Sequence, residues 1–232
     1  MEAVQFALGP VASLSAWRAF SCGGAGIRPR PGEPDLACCV ARVRDLRRHE
    51  AVAAIGDVPL DVIVGDIRRV HRCSTLDAIV LRRDLPRWSF CSLGGGAYLC
   101  SPELCFVLLA RGGDLPRLLE VGSELCGTYA LRPDGSGGFV RRPCLTTTDD
   151  LTAYLGQVGR RHGCRLARRA LEVLEDGLGS PRETWEHLAR SCGVSGGASN
   201  GVGCGEHRVL REMAGYERGI RHLSRATTAC RS

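Results

Sequence analysis

Ser101-Pro-Glu-Leu-Cys-Phe-Val-Leu-Leu-Ala110, answered by Gly122-Ser-Glu-Leu-Cys-Gly-Thr-Tyr129, decides how the fold is read. Ser101 carries a helix-capping hydroxyl, Pro102 suits the first helical position, and Glu103 sits in the first turn, where the macrodipole favours an anion. In the second stretch Gly127 follows Leu125 and Cys126, where a helix stops and takes a left-handed residue. Leu104, Val107 and Leu108 make one apolar stripe; Leu115, Leu118, Leu119 and Leu125 make another. Their spacing predicts a helical hairpin closed at Gly112-Gly113.

Upstream the texture is that of strands. Pro59-Leu-Asp-Val-Ile-Val64 alternates and is β-branched, Leu76–Leu81 and Phe90–Leu93 follow, and Tyr98-Leu-Cys100 returns across Gly94-Gly95-Gly96. A phosphate loop would need a helix after the glycines, and usually Lys-Ser/Thr; here a strand follows, so the glycines make a turn. Asp35–Ala54 is compatible with one helix, with Val40, Val43 and Leu46 on one side and Arg42, Arg44, Arg47 and Arg48 mostly off it. It also suits part of a small DNA-binding module, but no helix-turn-helix pair surrounds it. Gly23–Pro34 is a connector, and a short helix lies around Leu14–Phe20.

Downstream, Tyr129–Arg142 reads as a hairpin around Pro133–Gly138. Thr147 or Thr148 caps a short helix with Leu151 and Leu155 inward, and a longer helix runs from about Arg161 to Asp176 and ends at Gly177. Ser180-Pro-Arg-Glu-Thr opens another helix to roughly Ser191. Gly193–Gly205 is then rich in Gly, Ser and Asn, and Glu206–Ser232 is polar.

The helix at 161–176 has an anomaly. Arg160, Arg161, Arg165, Arg168 and Arg169 fill its beginning, while Glu172, Glu175 and Asp176 fill its end. The macrodipole favours the reverse order. Arg161, Arg165 and Arg169 also fall on one face at four-residue spacing. Two readings stand: a solvated face with Arg168 and Glu172 pairing locally, or a surface for an anionic partner such as a phosphate backbone.

Composition narrows the chemistry. The 232 residues carry a formal charge of +6, and all 31 basic residues are arginine, which excludes lysine-dependent catalysis. Thirteen cysteines include no Cys-x-x-Cys pair, and Cys192, Cys204 and His207 lack the spacing of a zinc site. Most thiols lie beside Leu, Ala or Phe and read as small buried hydrophobes, which suits a reducing cytoplasm. The apolar run Leu104–Ala110 is too short to span a membrane, and Glu2 and Pro10 spoil a secretion signal at the start. His71 and Cys73 could share a strand face, but no oxyanion site accompanies them.

Pro59-Leu-Asp-Val-Ile-Val, Leu85-Pro-Arg-Trp-Ser-Phe90, Ser101-Pro-Glu-Leu-Cys-Phe, Glu124-Leu-Cys-Gly-Thr-Tyr and Gly179-Ser-Pro-Arg-Glu-Thr occur in one order. That order resembles an uncharacterised family of high-GC bacteria over roughly residues 10–190. The family's front part is similar to the antitoxin of abortive-infection (AbiE-type) systems, and its rear part to a Vsr-like endonuclease of the restriction-enzyme fold. The resemblance implies that Glu183 is the first acidic residue of a Mg²⁺-dependent nuclease site. Such a site also needs an Asp and another acid on neighbouring strands. No Asp follows Asp176, and Glu186, Glu206, Glu212 and Glu217 lie in no alternating apolar segment.

The expectation is an α+β protein with a small β-containing front region, a helical middle and a poorly ordered C-terminal tail. Residues 1–57 form an N-terminal helical segment with a loop, 58–179 an α+β core, and 180–232 a remnant of a nuclease-like domain or a disordered tail. The expected function is a non-catalytic, DNA-associated or antitoxin-like regulatory protein, with Arg160, Arg161, Arg165, Arg168 and Arg169 as its nucleic-acid-binding residues. It binds no metal or cofactor, acts in the cytoplasm, and has DNA or a toxin-like protein as partner. The alternatives are a Mg²⁺-dependent endonuclease using Glu183 and a protein-interaction module. A frameshift or truncation after about residue 185 accounts for the tail's composition. Translating the source DNA in its other frames is then expected to uncover strands bearing the missing Asp and Glu; frames without them sink that explanation.

Overall fold

A three-residue strand that the sequence expectation lacks, Phe6–Leu8 (β1), joins the sheet together. The computed structural model describes residues 5–23, 28–56, 60–71, 74–81, 85–133, 138–159 and 162–191. Within them β1 lies between Leu60–Val64 (β3) and Ala97–Cys100 (β6), antiparallel to the first and parallel to the second. Leu76–Val80 (β4) continues the sheet beside β3, and Phe90–Gly94 (β5) and Arg30–Pro31 (β2) continue it beside β6. The six-strand order is β2-β5-β6-β1-β3-β4. All three β1 residues are buried, so no polar alternation advertises the strand.

The chain turns from β1 into Pro10–Ser21 (α1), the expected short helix lengthened at its front. Asp61 of β3 makes this turn possible. Its carboxylate accepts Val11 N–H at 2.9 Å and Ala12 N–H at 2.7 Å, satisfying two donors that a helix N-terminus leaves unpaired. Burial pushes the Asp61 carboxyl above its ordinary range, against these two hydrogen bonds, which favour the ionised form. Gly9 is required here because a Cβ would stand 2.4 Å from Asp61 Cγ.

The helical hairpin forms as expected. Pro102–Leu109 (α4) is capped by Ser101 Oγ, which accepts Leu104 N–H at 3.2 Å. Leu115–Cys126 (α5) is capped by Asp114 and reached through Gly113 at φ 78°. Gly127 departs from expectation: at φ −83° and ψ 169° it is extended, not left-handed. Glycine is needed there for space, since a Cβ would lie 2.5 Å from the Ser123 carbonyl oxygen and 2.9 Å from that of Leu178.

Glu124 of the quoted motif is a tie between elements and caps nothing. It is 2% exposed and holds Arg18 of α1 through both carboxylate oxygens, with Arg18 Nε donating to Oε1 at 2.9 Å. Oε1 also accepts Leu131 N–H at 3.0 Å, which brings in the two-stranded hairpin of Tyr129–Leu131 (β7) and Phe139–Arg141 (β8). Arg142 donates to the Glu124 backbone carbonyl.

Two predicted helices are shorter than expected. Asp35–Ala54 holds only the single turns Val43–Leu46 (α2) and Glu50–Ala53 (α3). Asp35 opens a turn that closes on Cys38 and Cys39, and beyond it Val40 N–H is drawn to the Gln5 carbonyl and Ala41 bridges Val70, so no helix runs through this stretch. His49 then ends one turn and starts the next, its Nδ1 accepting Ala51 N–H. The helix expected over 161–176 is Cys164–Leu171 (α7). Thr148–Val158 (α6), capped by Thr147, and Pro181–Ser191 (α8) match the expected starts. The fold is α+β, and its apolar core runs from Phe6 through Leu188. The tail expected to be poorly ordered lies, from residue 192 on, outside the described residues.

Urea unfolding tests these ties. Glu124→Ala strands Arg18 and Leu131 N–H and is expected to lower stability by about 3–5 kcal/mol. Gly9→Ala drives a methyl into the Asp61 carboxylate and is expected to cost about 1–3 kcal/mol. An unchanged midpoint in Gly9→Ala would contradict the described turn.

Candidate nucleic-acid interface

The arginines singled out in the sequence are only partly described, and those that are do not share one environment. Arg160 and Arg161 lie outside the described residues. Arg168 is engaged at home: its guanidinium donates to the carbonyls of Leu155 at 3.1 Å and Gly159 at 3.2 Å. Those carbonyls belong to the open C-terminal end of α6, which a cation stabilises. No Arg168–Glu172 pair is among the ion pairs of the described residues. At the other end of α6, Asp176 accepts Thr148 N–H and Thr148 Oγ–H, both at 2.9 Å.

The charge anomaly thereby finds a physical account. Because α7 stops at Leu171, Arg168 and Arg169 stand in its last turn, where its own dipole favours them. Glu172, Glu175 and Asp176 lie beyond the helix. The cation-then-anion order complements the dipole of neighbouring α6, whose two ends Arg168 and Asp176 cap. Arg165 alone stays in an unfavourable first turn.

Arg165 and Arg169 are exposed on α7. Arg111, on the turn between α4 and α5, is a neighbour that the sequence reading missed. Gly163, at φ 92°, packs so tightly that a Cβ would stand 2.9 Å from Arg111 N, and this sets the start of α7 against the turn. Arg111 and Arg165 are exposed and have no ion pair among the described residues. Only the Gly112-Gly113 and Gly163 breaks hinted at this meeting, and neither identifies its partner.

Glu183 has a local duty. Its Oε2 accepts Gly179 N–H at 2.8 Å and its Oε1 accepts Ser180 Oγ–H at 3.2 Å, while Ser180 Oγ accepts Glu183 N–H. This is a variant of the capping box at the start of α8, in which Glu183 reaches the amide before the cap and the cap's own hydroxyl. No group of three His, Cys, Asp or Glu side chains with metal-holding geometry occurs among the described residues. Cys192, Cys204, His207 and Cys73 lie outside them.

Other chemistry-bearing groups are also engaged. Glu175, His187 and Ser191 come together, with Ser191 Oγ 3.3 Å from His187 Nε2. That nitrogen is 2.7 Å from the Val173 carbonyl, so it carries a hydrogen and cannot take a proton from the serine. His71 Nε2 accepts Arg42 Nε–H at 2.9 Å. Burial pushes the Cys39 thiol up to about 12 and the Cys91 thiol up to about 11. Burial, aided by Asp176, also raises Cys126. A cavity of about 490 Å³ is lined by Leu36, Leu81, Leu85 and Phe90 with Asp35 and Arg87 among its polar groups. Asp35 is held below the usual carboxylate range by the Cys38 thiol and Ala37 N–H.

Thiol accessibility checks this picture. Iodoacetamide at pH 8 is expected to label exposed Cys38 and Cys144 in the native protein, and Cys39, Cys105 and Cys126 only after unfolding. Native labelling of Cys126 as fast as Cys144 would contradict it.

No family model, curated protein or solved structure matches the chain.

Proposed function

We propose that this chain is a non-catalytic, DNA-associated regulatory protein of antitoxin-like type, related to a nuclease-bearing family and acting in the cytoplasm. The supporting observation is that Arg111 packs against Gly163, two residues before Arg165, and that Arg111 and Arg165 are both exposed with no ion pair among the described residues. Arg169 shares the α7 helix, and Arg160 and Arg161 precede it in sequence. Arginine forks hold phosphate oxygens well, and such contacts give affinity without sequence choice. The capping-box duty of Glu183 favours the non-catalytic reading, because both of its oxygens already have donors. No helix among the described residues is long and apolar enough to cross a membrane.

Fluorescence anisotropy with a 20-base-pair duplex at several salt concentrations tests the proposal. The parent protein is expected to bind with a steep salt dependence. Arg111→Ala/Arg165→Ala/Arg169→Ala is expected to reduce the log–log slope by about 0.9 for each phosphate that is no longer neutralised. Arg168→Ala is expected to lower stability through the end of α6 while leaving the slope of the folded protein unchanged. Mg²⁺-dependent nicking that disappears in Glu183→Ala would replace this function with the endonuclease alternative.

A further inference from the structure

We infer that the principal phosphate-docking surface is a second arginine face, built from residues 41–50 and 66–71, which α7 only supplements. The inference rests on the DNA-associated reading above and specifies where the backbone sits.

The face is assembled by the fold. Ala41 N–H donates to the Arg69 carbonyl at 3.1 Å and His71 N–H to the Ala41 carbonyl at 2.9 Å, tying two segments distant in sequence. Arg42 crosses this seam to His71 at 2.9 Å. Beneath it, Leu46, Ala51, Val52 and Ile55 are buried. His49 sets its ring edge-on to Phe6 at 5.6 Å and reaches the Gly94 carbonyl. The backbone carrying the arginines is therefore held by core contacts, and Arg42, Arg44, Arg47, Arg48, Arg68 and Arg69 all emerge exposed.

Charge counting separates the two surfaces. Residues 41–50 and 66–71 hold six arginines against Asp45, Glu50 and Asp66, which is half of the chain's net +6. Residues 162–176 hold three arginines against three carboxylates. Asp66 is committed to Arg68, accepting its Nε–H at 2.8 Å, and Asp45 and Glu50 sit in the first turns of α2 and α3. Arg44 and Arg48 have no ion pair among the described residues. The composition of the face selects the partner. Protein interfaces centre on buried aromatic or aliphatic anchors, whereas the only large apolar side chain exposed on these two segments is Ile67, at 37%. A dense set of guanidiniums without such an anchor suits a polyphosphate backbone.

The test compares the parent, Arg44→Ala/Arg48→Ala and a charge-matched control, Arg182→Ala/Arg190→Ala on α8, on the same 20-base-pair duplex. Both replaced pairs are exposed, and unfolding midpoints confirm intact folds. Arg44→Ala/Arg48→Ala is expected to weaken binding about tenfold near physiological salt and to reduce the log–log salt slope by about 1.8. The control is expected to change affinity by less than about twofold and to leave the slope at the parent's value. Equal losses in both variants would mean that net charge alone is felt, and would overturn the inference. So would an unchanged Arg44→Ala/Arg48→Ala beside a weakened Arg111→Ala/Arg165→Ala, which leaves the proposed function standing. A parent protein that does not bind the duplex removes both.

Discussion

Two buried carboxylates hold α1, and through it the sheet and the helical layer keep their relation. Asp61 reaches from β3 to the N-terminal amides of α1, and Glu124 reaches from α5 to Arg18 in its last turn. Each places negative charge in an apolar interior, and each is tolerated because its oxygens are met by donors fixed in place. The consequence reaches past α1. Leu131 N–H on β7 uses the same Glu124 oxygen, and Arg142 holds the backbone one atom group away. The short β7–β8 ribbon therefore depends on a side chain of the helical hairpin. Removing one such anion leaves a cation or several amides unpaired in the core, whereas removing an exposed ion pair such as Arg182–Glu186 leaves its partner in water.

Local signals were legible where the physics was local. The helix starts at Ser101, Thr147 and Ser180 were readable because capping involves residues three or four apart. Strands β3 to β6 were readable from β-branched runs and a triple-glycine turn. β1 was not, since three buried residues give no period to detect. Asp35–Ala54 had the right spacing for a helix, yet tertiary demands at Val40, Ala41 and His49 divide it. Gly127 shows that the same residue type can be placed by two causes. A glycine after a helix suggests a left-handed turn, but here crowding by the Ser123 and Leu178 carbonyls excludes a side chain.

The arginine pattern near 160–169 was visible in the sequence, but its meaning depended on a second helix. A charge order that opposes one helix dipole can satisfy that of an antiparallel neighbour, and Arg168 and Asp176 do so at opposite ends of α6. Arg165 and Arg169 are exposed, as both readings of the pattern required, and the contact of Arg168 with the end of α6 has no counterpart in the spacing. Arg111 escaped notice because nothing at positions 111 and 163 signals that their backbones meet.

The two arginine surfaces differ in what the fold asks of them. On α7 the cations serve partly to hold helices together, and the nearby carboxylates balance them in number. On the 41–50 and 66–71 face the backbone is secured by apolar contacts, the Ala41–Val70 bridge and His49, so Arg44 and Arg48 are not called on to hold it. A +3 excess concentrated on so short a length repels itself, and screening beyond roughly 8 Å relieves that cost only in part. A surface that keeps unbalanced charge on a packed frame is disfavoured in isolation and relieved by an anionic partner. That imbalance, more than the spacing of any arginine stripe, is the feature on which the proposed docking of a phosphate backbone rests.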